Sequence, residues 1–123
     1  MKFFICNHCK NLAELVVNRG VPMMCCGDEM AELVANTEEA STEKHLPVIT
    51  VDGDKVTVDV GSVAHPMEEK HYISFIVLEA DCGIQRKHLK IGEEPKVTFT
   101  GCSCSTKAVY AYCNLHGMWK TEI

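Results

Sequence analysis

The chain has no long apolar run. Its longest apolar stretches, such as Ile76-Val77-Leu78, are far too short to cross a bilayer, so no membrane partner is expected. Phe3-Phe4-Ile5 is too brief for the apolar region of an export signal and runs straight into Cys6. There is no basic stripe either. With 12 Lys and Arg against 17 Asp and Glu, the net charge of -5 excludes nucleic acid as an expected partner. Convincing helical periodicity, internal repeats and low-complexity segments are all missing. What is present is 123 residues, enough for one ordinary domain or a compact domain plus a small metal-stapled one. Eight cysteines without an export signal point to metal ligation in a reducing cytoplasm, not to a disulfide scaffold. These properties describe a soluble, cytoplasmic metalloprotein.

The chain changes texture twice. Residues 1–36 hold Cys6, Cys9, Cys25 and Cys26, with Gly20, Pro22 and Gly27 as turn formers. That segment is too small to bury a useful core, so a bound metal is its expected source of stability. Residues 37–44 are polar and read as a linker. From residue 45 to 123, short β-type runs dominate. Pro47–Val51 and Lys55–Val60 flank Asp52-Gly53-Asp54, a hairpin signal, and Val56, Val58 and Val60 alternate cleanly. Further strands are predicted within His71–Glu79, Gly83–Leu89, Lys96–Thr100 and Lys107–Tyr112, with turns at Asp81-Cys82-Gly83 and Ile91–Pro95. Six or seven short strands with regular turn signals predict a mainly β chain, an immunoglobulin-like β-sandwich preceded by the small metal-binding domain.

Two constellations carry the chemistry. Cys6-Asn7-His8-Cys9 and, fifteen residues on, Cys25-Cys26 offer four thiolates. The tight turn of a Cys-x-x-Cys pair aims both sulfurs one way, whereas adjacent cysteines must splay from neighbouring α-carbons. Structural zinc suits four thiolates, so the residues alone leave the metal open. A site closed by four protein ligands suits electron transfer or stapling. The second constellation is Cys113-Asn114-Leu115-His116 with Glu43-Lys44-His45 and His65-Pro66-Met67-Glu68-Glu69-Lys70-His71. One thiolate and four imidazoles are one donor too many for tetrahedral zinc. They are the number that square-pyramidal iron takes when its sixth position stays open.

With these motifs the sequence resembles the desulfoferrodoxin-type, two-iron superoxide reductases over nearly its whole length. The resemblance implies a desulforedoxin-like four-cysteine iron domain in 1–36, with zinc the alternative metal. It implies a superoxide reductase domain in 45–123, with His45, His65, His71 and His116 as equatorial ligands and Cys113 as the axial one. The implied activity is the one-electron reduction of superoxide to hydrogen peroxide at ferrous iron, without release of dioxygen. Lys44 resembles the family lysine beside the open position, which attracts the anionic substrate and organises a proton-donating water. Glu43 resembles the glutamate that occupies that position in oxidised protein. An external electron donor such as a rubredoxin and a homodimeric assembly are implied too. Two other readings are a rubredoxin-like electron carrier with a structural β-domain, and a single-iron enzyme with a zinc-stapled first module.

Other residues are read more plainly. Lys10 stands where many relatives carry glycine, a departure that leaves the four thiolates intact. His8 is expected to be an exposed neighbour of the cluster, and His88 falls in no motif. Cys82, Cys102 and Cys104 are expected to be incidental thiols, with regulatory or disulfide roles the alternative. Glu68, Glu69 and Lys70 read as a solvated loop, and Pro47 and Pro66 as stiffeners of the loops that aim the histidines.

Overall fold

The structure is a computed structural model that describes residues 1–101 and 105–123. Cys102 and Cys104, expected as incidental thiols, lie outside the described residues. The chain divides into two compact units, Met1–Val34 and Ala35–Ile123.

The first unit is built from five very short strands: β1 (Phe3–Ile5), β2 (Leu12–Glu14), β3 (Met24–Cys25), β4 (Asp28–Glu29) and β5 (Ala31–Glu32). β1 is central in a three-stranded antiparallel sheet, between β2 and β5. β3 and β4 form a hairpin whose turn is Cys26-Gly27. Both turn residues have positive φ, +52° and +81°. That is the pattern of a two-residue turn whose twist matches the flanking strands.

The second unit opens with a single helical turn, α1 (Thr42–His45), at the end of the stretch predicted to be a linker. Leu46 precedes Pro47, and the proline ring drives Leu46 to extended backbone, which stops the helix after one turn. Among the described residues seven strands follow: β6 (Pro47–Asp52), β7 (Lys55–Val60), β8 (Ile73–Ala80), β9 (Gly83–His88), β10 (Lys96–Phe99), β11 (Thr106–Cys113) and β12 (Gly117–Glu122). They make two antiparallel sheets, β10-β7-β6 and β12-β11-β8-β9. Six match runs expected from the sequence. β12 was not foreseen, because Gly117–Glu122 lacks clean alternation.

The core lies between the sheets. Val56, Val58 and Val60 of β7 meet Ile73, Ile76 and Leu78 of β8, with Phe99, Val109 and Ala111. Thr57 of β7, which points away from that cluster, faces Thr98 of β10 at 3.2 Å between hydroxyls. The core cluster also contains Cys113, so the cysteine at the end of β11 is held by the same packing that holds the sheets. At that end the β11–β8 register slips between Tyr112 and Cys113, a bulge that re-aims the cysteine.

The 61–65 loop is locked onto α1. Val63 N–H and the Ser62 hydroxyl both donate to the Glu43 carbonyl, at 2.9 and 3.2 Å. A Cβ on Gly61 would lie 2.6 Å from that same oxygen, 3.0 Å from the Leu46 carbonyl oxygen and 3.1 Å from the Lys44 carbonyl carbon. Backbone cannot yield as a flexible side chain would. Gly61→Ala is therefore expected to lower unfolding free energy by about 1–3 kcal/mol, read as a shifted urea midpoint. An unchanged midpoint would disprove the close approach.

Candidate metal centres

In the first unit, β1 runs into the Cys6–Cys9 turn, closed by Lys10 N–H on the Cys6 carbonyl and Cys6 N–H on the Asn11 carbonyl, each at 2.9 Å. Cys25 ends β3 and Cys26 sits in the hairpin turn, so two tight turns present two sulfurs each. The four sulfurs lie within 4.8 Å of one another. Cys9 and Cys25 Sγ are 3.6 Å apart, and Cys25 and Cys26 Sγ are 3.9 Å apart. Metal–sulfur bonds of about 2.3 Å set tetrahedral sulfurs about 3.8 Å apart, so the spacing fits one metal ion. The splay expected of adjacent cysteines is accommodated by the positive φ of Cys26.

Backbone N–H groups of Cys9 and Asn11 point at Cys6 Sγ and Cys9 Sγ, at 3.5 and 3.4 Å. The Cys9 N–H is the main reason the Cys6 thiol is lowered to about 6. Cys26, hydrogen-bonded first to Cys9 and then to Cys6, is pushed up to about 12. Without metal, the cluster shares its protons unevenly. Lys10 has φ of +67°, a backbone conformation where glycine is at ease and a side chain costs about 1 kcal/mol. The His8 ring turns to Asp28, its Nε2 2.6 Å from a carboxylate oxygen, while its backbone N–H helps to lower the Cys6 thiol.

The second centre gathers residues from three places. His45 comes from α1, His65 and His71 from the loop between β7 and β8, and Cys113 and His116 from the β11–β12 hairpin. His45, His65, His71 and Cys113 each offer an atom within 4.8 Å of the others. His65 Nε2 and His116 Nδ1 approach His45 Nε2 to 3.2 and 3.1 Å, and Cys113 Sγ lies 3.8 Å from His116 Nδ1. His45, His65 and Cys113 are buried.

The far side of each ring decides what these atoms can do. His45 Nδ1 faces the Ser41 carbonyl at 2.7 Å and His65 Nδ1 faces the Pro66 carbonyl at 2.6 Å. A carbonyl only accepts, so both Nδ1 atoms carry the proton and both neutral rings turn a lone pair inward. Two lone pairs 3.2 Å apart cannot bond each other. His71 Nε2 is buried with no partner among the described residues. Converging, unshared imidazole lone pairs beside a thiol are a cation site, and the donor set fits an iron of five protein ligands.

Burial lowers His65 to about 4 and holds His45 and His71 below the ordinary imidazole range. Neighbouring imidazoles and the Lys44 ammonium add to this for His45 and His71. Burial pushes the Cys113 thiol up, opposed by the backbone N–H groups of His116 and Leu115. Glu43 and Lys44 are both exposed on α1, two residues and one residue before His45.

Asn114 and Trp119 were given no role from sequence. The Asn114 side chain accepts from Tyr72 N–H at 2.9 Å and donates to the Lys70 carbonyl at 3.0 Å. It thereby ties the His71 segment to Cys113. Its place inside the Cys113–His116 motif was the available signal. Trp119 stacks on His45. Pro66, read as a stiffener, is also the acceptor for His65. Glu68 and His71 exchange backbone hydrogen bonds, so the exposed Glu68–Lys70 segment is a tight turn. His88 is exposed on β9, its ring 5.7 Å from that of Phe75. Cys82 corrects an expectation: it is disulfide-bonded, not an incidental thiol. Among the described residues, no helix is long and apolar enough to cross a membrane.

A β-sandwich that converges four imidazoles and a thiolate, accompanied by a four-thiolate cluster, is a two-centre non-haem metalloprotein. Comparison with known proteins narrows the class. Residues 37–122 match the family model for desulfoferrodoxin. A desulfoferrodoxin homologue of Archaeoglobus fulgidus is 46% identical over 98% of this chain and 96% of its own. The crystal structure of superoxide reductase from Treponema pallidum superposes with a TM-score of 0.82, at 36% identity and 98% coverage of both chains. A single-iron superoxide reductase from Giardia intestinalis matches 66% of this chain and 97% of its own, with a TM-score of 0.58 and 33% identity. The chain belongs to the desulfoferrodoxin family. Its four-cysteine and four-histidine, one-cysteine sites match that family's two-iron arrangement, and the superoxide reductases it resembles are oxidoreductases.

Because burial lowers these histidines in the folded chain, the unfolded chain binds more protons between about pH 6.5 and pH 4. Stability of metal-free protein should therefore fall as pH drops through that window. Calorimetry is expected to show a melting midpoint lower by about 5–10 °C at the acid end. A flat profile would mean that the imidazoles are not desolvated.

Proposed function

We propose that the protein is a superoxide reductase, converting superoxide, one electron and two protons to hydrogen peroxide. The observation that carries this reading is the inward set of imidazole lone pairs above Cys113, with Glu43 and Lys44 on the adjoining helical turn. His45, His65, His71, His116 and Cys113 would hold iron. Cycling between ferrous and ferric states, that iron would supply the electron, made more reducing by the thiolate.

The chain's own residues supply the rest. Lys44 presents an ammonium to an anionic substrate beside the centre, although the chain as a whole carries a net charge of -5. The same ammonium can order a water that delivers a proton to the departing product. Glu43 is assigned the carboxylate that covers the centre in oxidised protein. Leu115 and His116 N–H groups favour the Cys113 thiolate against its burial. Each turnover consumes an electron, so a donor protein such as a rubredoxin is required. Val16, Val17, Val21 and Met24, all exposed in the first unit, support assembly with a second copy.

Product stoichiometry tests the reaction. Reduced protein mixed with superoxide should give one hydrogen peroxide per superoxide and no dioxygen. A dismutase would instead give one peroxide and one dioxygen for every two superoxides, and that result would end the reductase reading. Lys44→Ala should slow superoxide consumption by roughly 10–100-fold at low ionic strength with iron content unchanged. Equal rates would remove Lys44 from the mechanism.

Metal analysis with visible spectra addresses the four-cysteine site, for which zinc is the other reading. Two irons per chain and an iron–thiolate spectrum in addition to the second centre's band are expected. One iron with one zinc would make the first unit a staple. The match of the single-iron Giardia structure to two thirds of this chain is compatible with a second unit that works alone.

A further inference from the structure

We propose that Trp119 is a positioning residue for the four-imidazole, one-thiolate centre, fixing His45 and His116 through one side chain. Trp119 is the chain's only tryptophan. It lies on β12 opposite Ala111 of β11 and is buried, with 3% of its surface exposed. Its ring stacks on that of His45, centroids 4.9 Å apart and planes 29° from parallel. Its indole N–H donates to the His116 carbonyl at 3.1 Å. The inference rests on the metal reading of this centre but not on the reaction assigned to it.

The geometry gives each contact a separate task. The Ser41 carbonyl fixes which His45 nitrogen carries the proton, but one hydrogen bond leaves the imidazole able to tilt about it. The indole face removes that freedom over a broad contact. The N–H bond acts on the opposite partner. It closes the turn that begins at Cys113, contains His116, and reverses at Gly117, whose φ is +75°. His45 and His116 are 71 residues apart in sequence, yet their inward nitrogens meet at 3.1 Å. One rigid bicyclic side chain spans both. A ligand ring held by its surroundings binds metal more tightly and with a fixed overlap, and loss of such support costs about 10–100-fold in affinity.

The test uses full-length, iron-loaded protein and the variants Trp119→Leu and Trp119→Phe. Iron at this centre is first verified in the unmodified protein by metal count and by its oxidation-dependent absorption band. Absence of that band would overturn both the metal reading and this proposal. Each protein is then challenged with an iron chelator while both centres are followed by absorbance. Trp119→Leu is expected to release this centre's metal roughly 10–100-fold faster and to shift the band. Release from the four-thiolate cluster, in the other unit, should be unchanged. Trp119→Phe keeps a ring over His45 and should fall in between, a partial rescue.

Unchanged release and an unshifted band in Trp119→Leu would overturn the proposal. So would equal acceleration at both centres, the mark of general destabilisation. Should the leucine variant not fold, the phenylalanine variant decides by the same two readouts. In unmodified protein, the near-ultraviolet circular dichroism of the lone indole should barely change when zinc fills the empty centre. A large change would mean that metal arranges the stack, which is the opposite of what is proposed.

Discussion

Two backbone carbonyls govern what the second unit can do. Those of Ser41 and Pro66 accept from His45 and His65 Nδ1, and so turn both Nε2 lone pairs toward each other. Lone pairs at 3.2 Å repel, and His116 Nδ1, 3.1 Å from His45 Nε2, relieves the His45 side only in the tautomer that carries its proton there. A cation between the rings satisfies both lone pairs at once. Each carbonyl is supplied locally: Ser41 is the residue before α1, and Pro66 follows His65 directly. The tautomers are therefore fixed by short stretches of chain. The sandwich has only to bring those stretches together.

It does so with few contacts, each hard to replace. Gly61 lets the 61–65 loop lie against the backbone of residues 43–46, bringing the His65 segment onto the His45 turn. The bulge between Tyr112 and Cys113 and the Asn114 side chain bring the third segment onto the His71 loop. None of these devices is apolar burial. Burial holds the two sheets together and sets the distance scale, while the polar contacts at one end of the sandwich aim the ligands. Changes in the valine-rich interior should act mainly on stability, and changes at the sandwich's end on metal affinity.

The legible parts of the sequence were those with local causes. Alternating Val56, Val58 and Val60 marked β7, the Asp-Gly-Asp turn marked its hairpin, and the sulfurs and imidazoles that converge stand in short motifs. The missed parts depend on partners far away in sequence. β12 has no alternation of its own, because it is defined by pairing with β11. α1 is one turn, too short for periodicity, and exists because the 61–65 loop and Pro47 bracket it. Trp119 and Asn114 carry no ligand atom, so their roles emerge only once His45 and the Lys70–Tyr72 segment are beside them. Cys82 could not be told from a free thiol by spacing, since a disulfide is a statement about distance in space.

Desolvation ties the centre's electrostatics to its purpose. Burial holds His45, His65 and His71 neutral and favours the protonated Cys113 thiol, so the charges at the edge of the metal-free centre are those of Lys44, Glu43 and Glu68. A divalent cation reverses the last of these preferences by displacing the Cys113 proton. Four neutral imidazoles and one thiolate then leave a net charge of about +1 in a low-dielectric pocket, with an ammonium nearby. An acidic chain would on average repel a small anion. With a divalent cation bound, the centre and Lys44 would oppose that repulsion at close range, against Glu43 and Glu68, and the short range of screened interactions means the local charge governs final approach. Surface acidity and anion chemistry are compatible because they act at different distances.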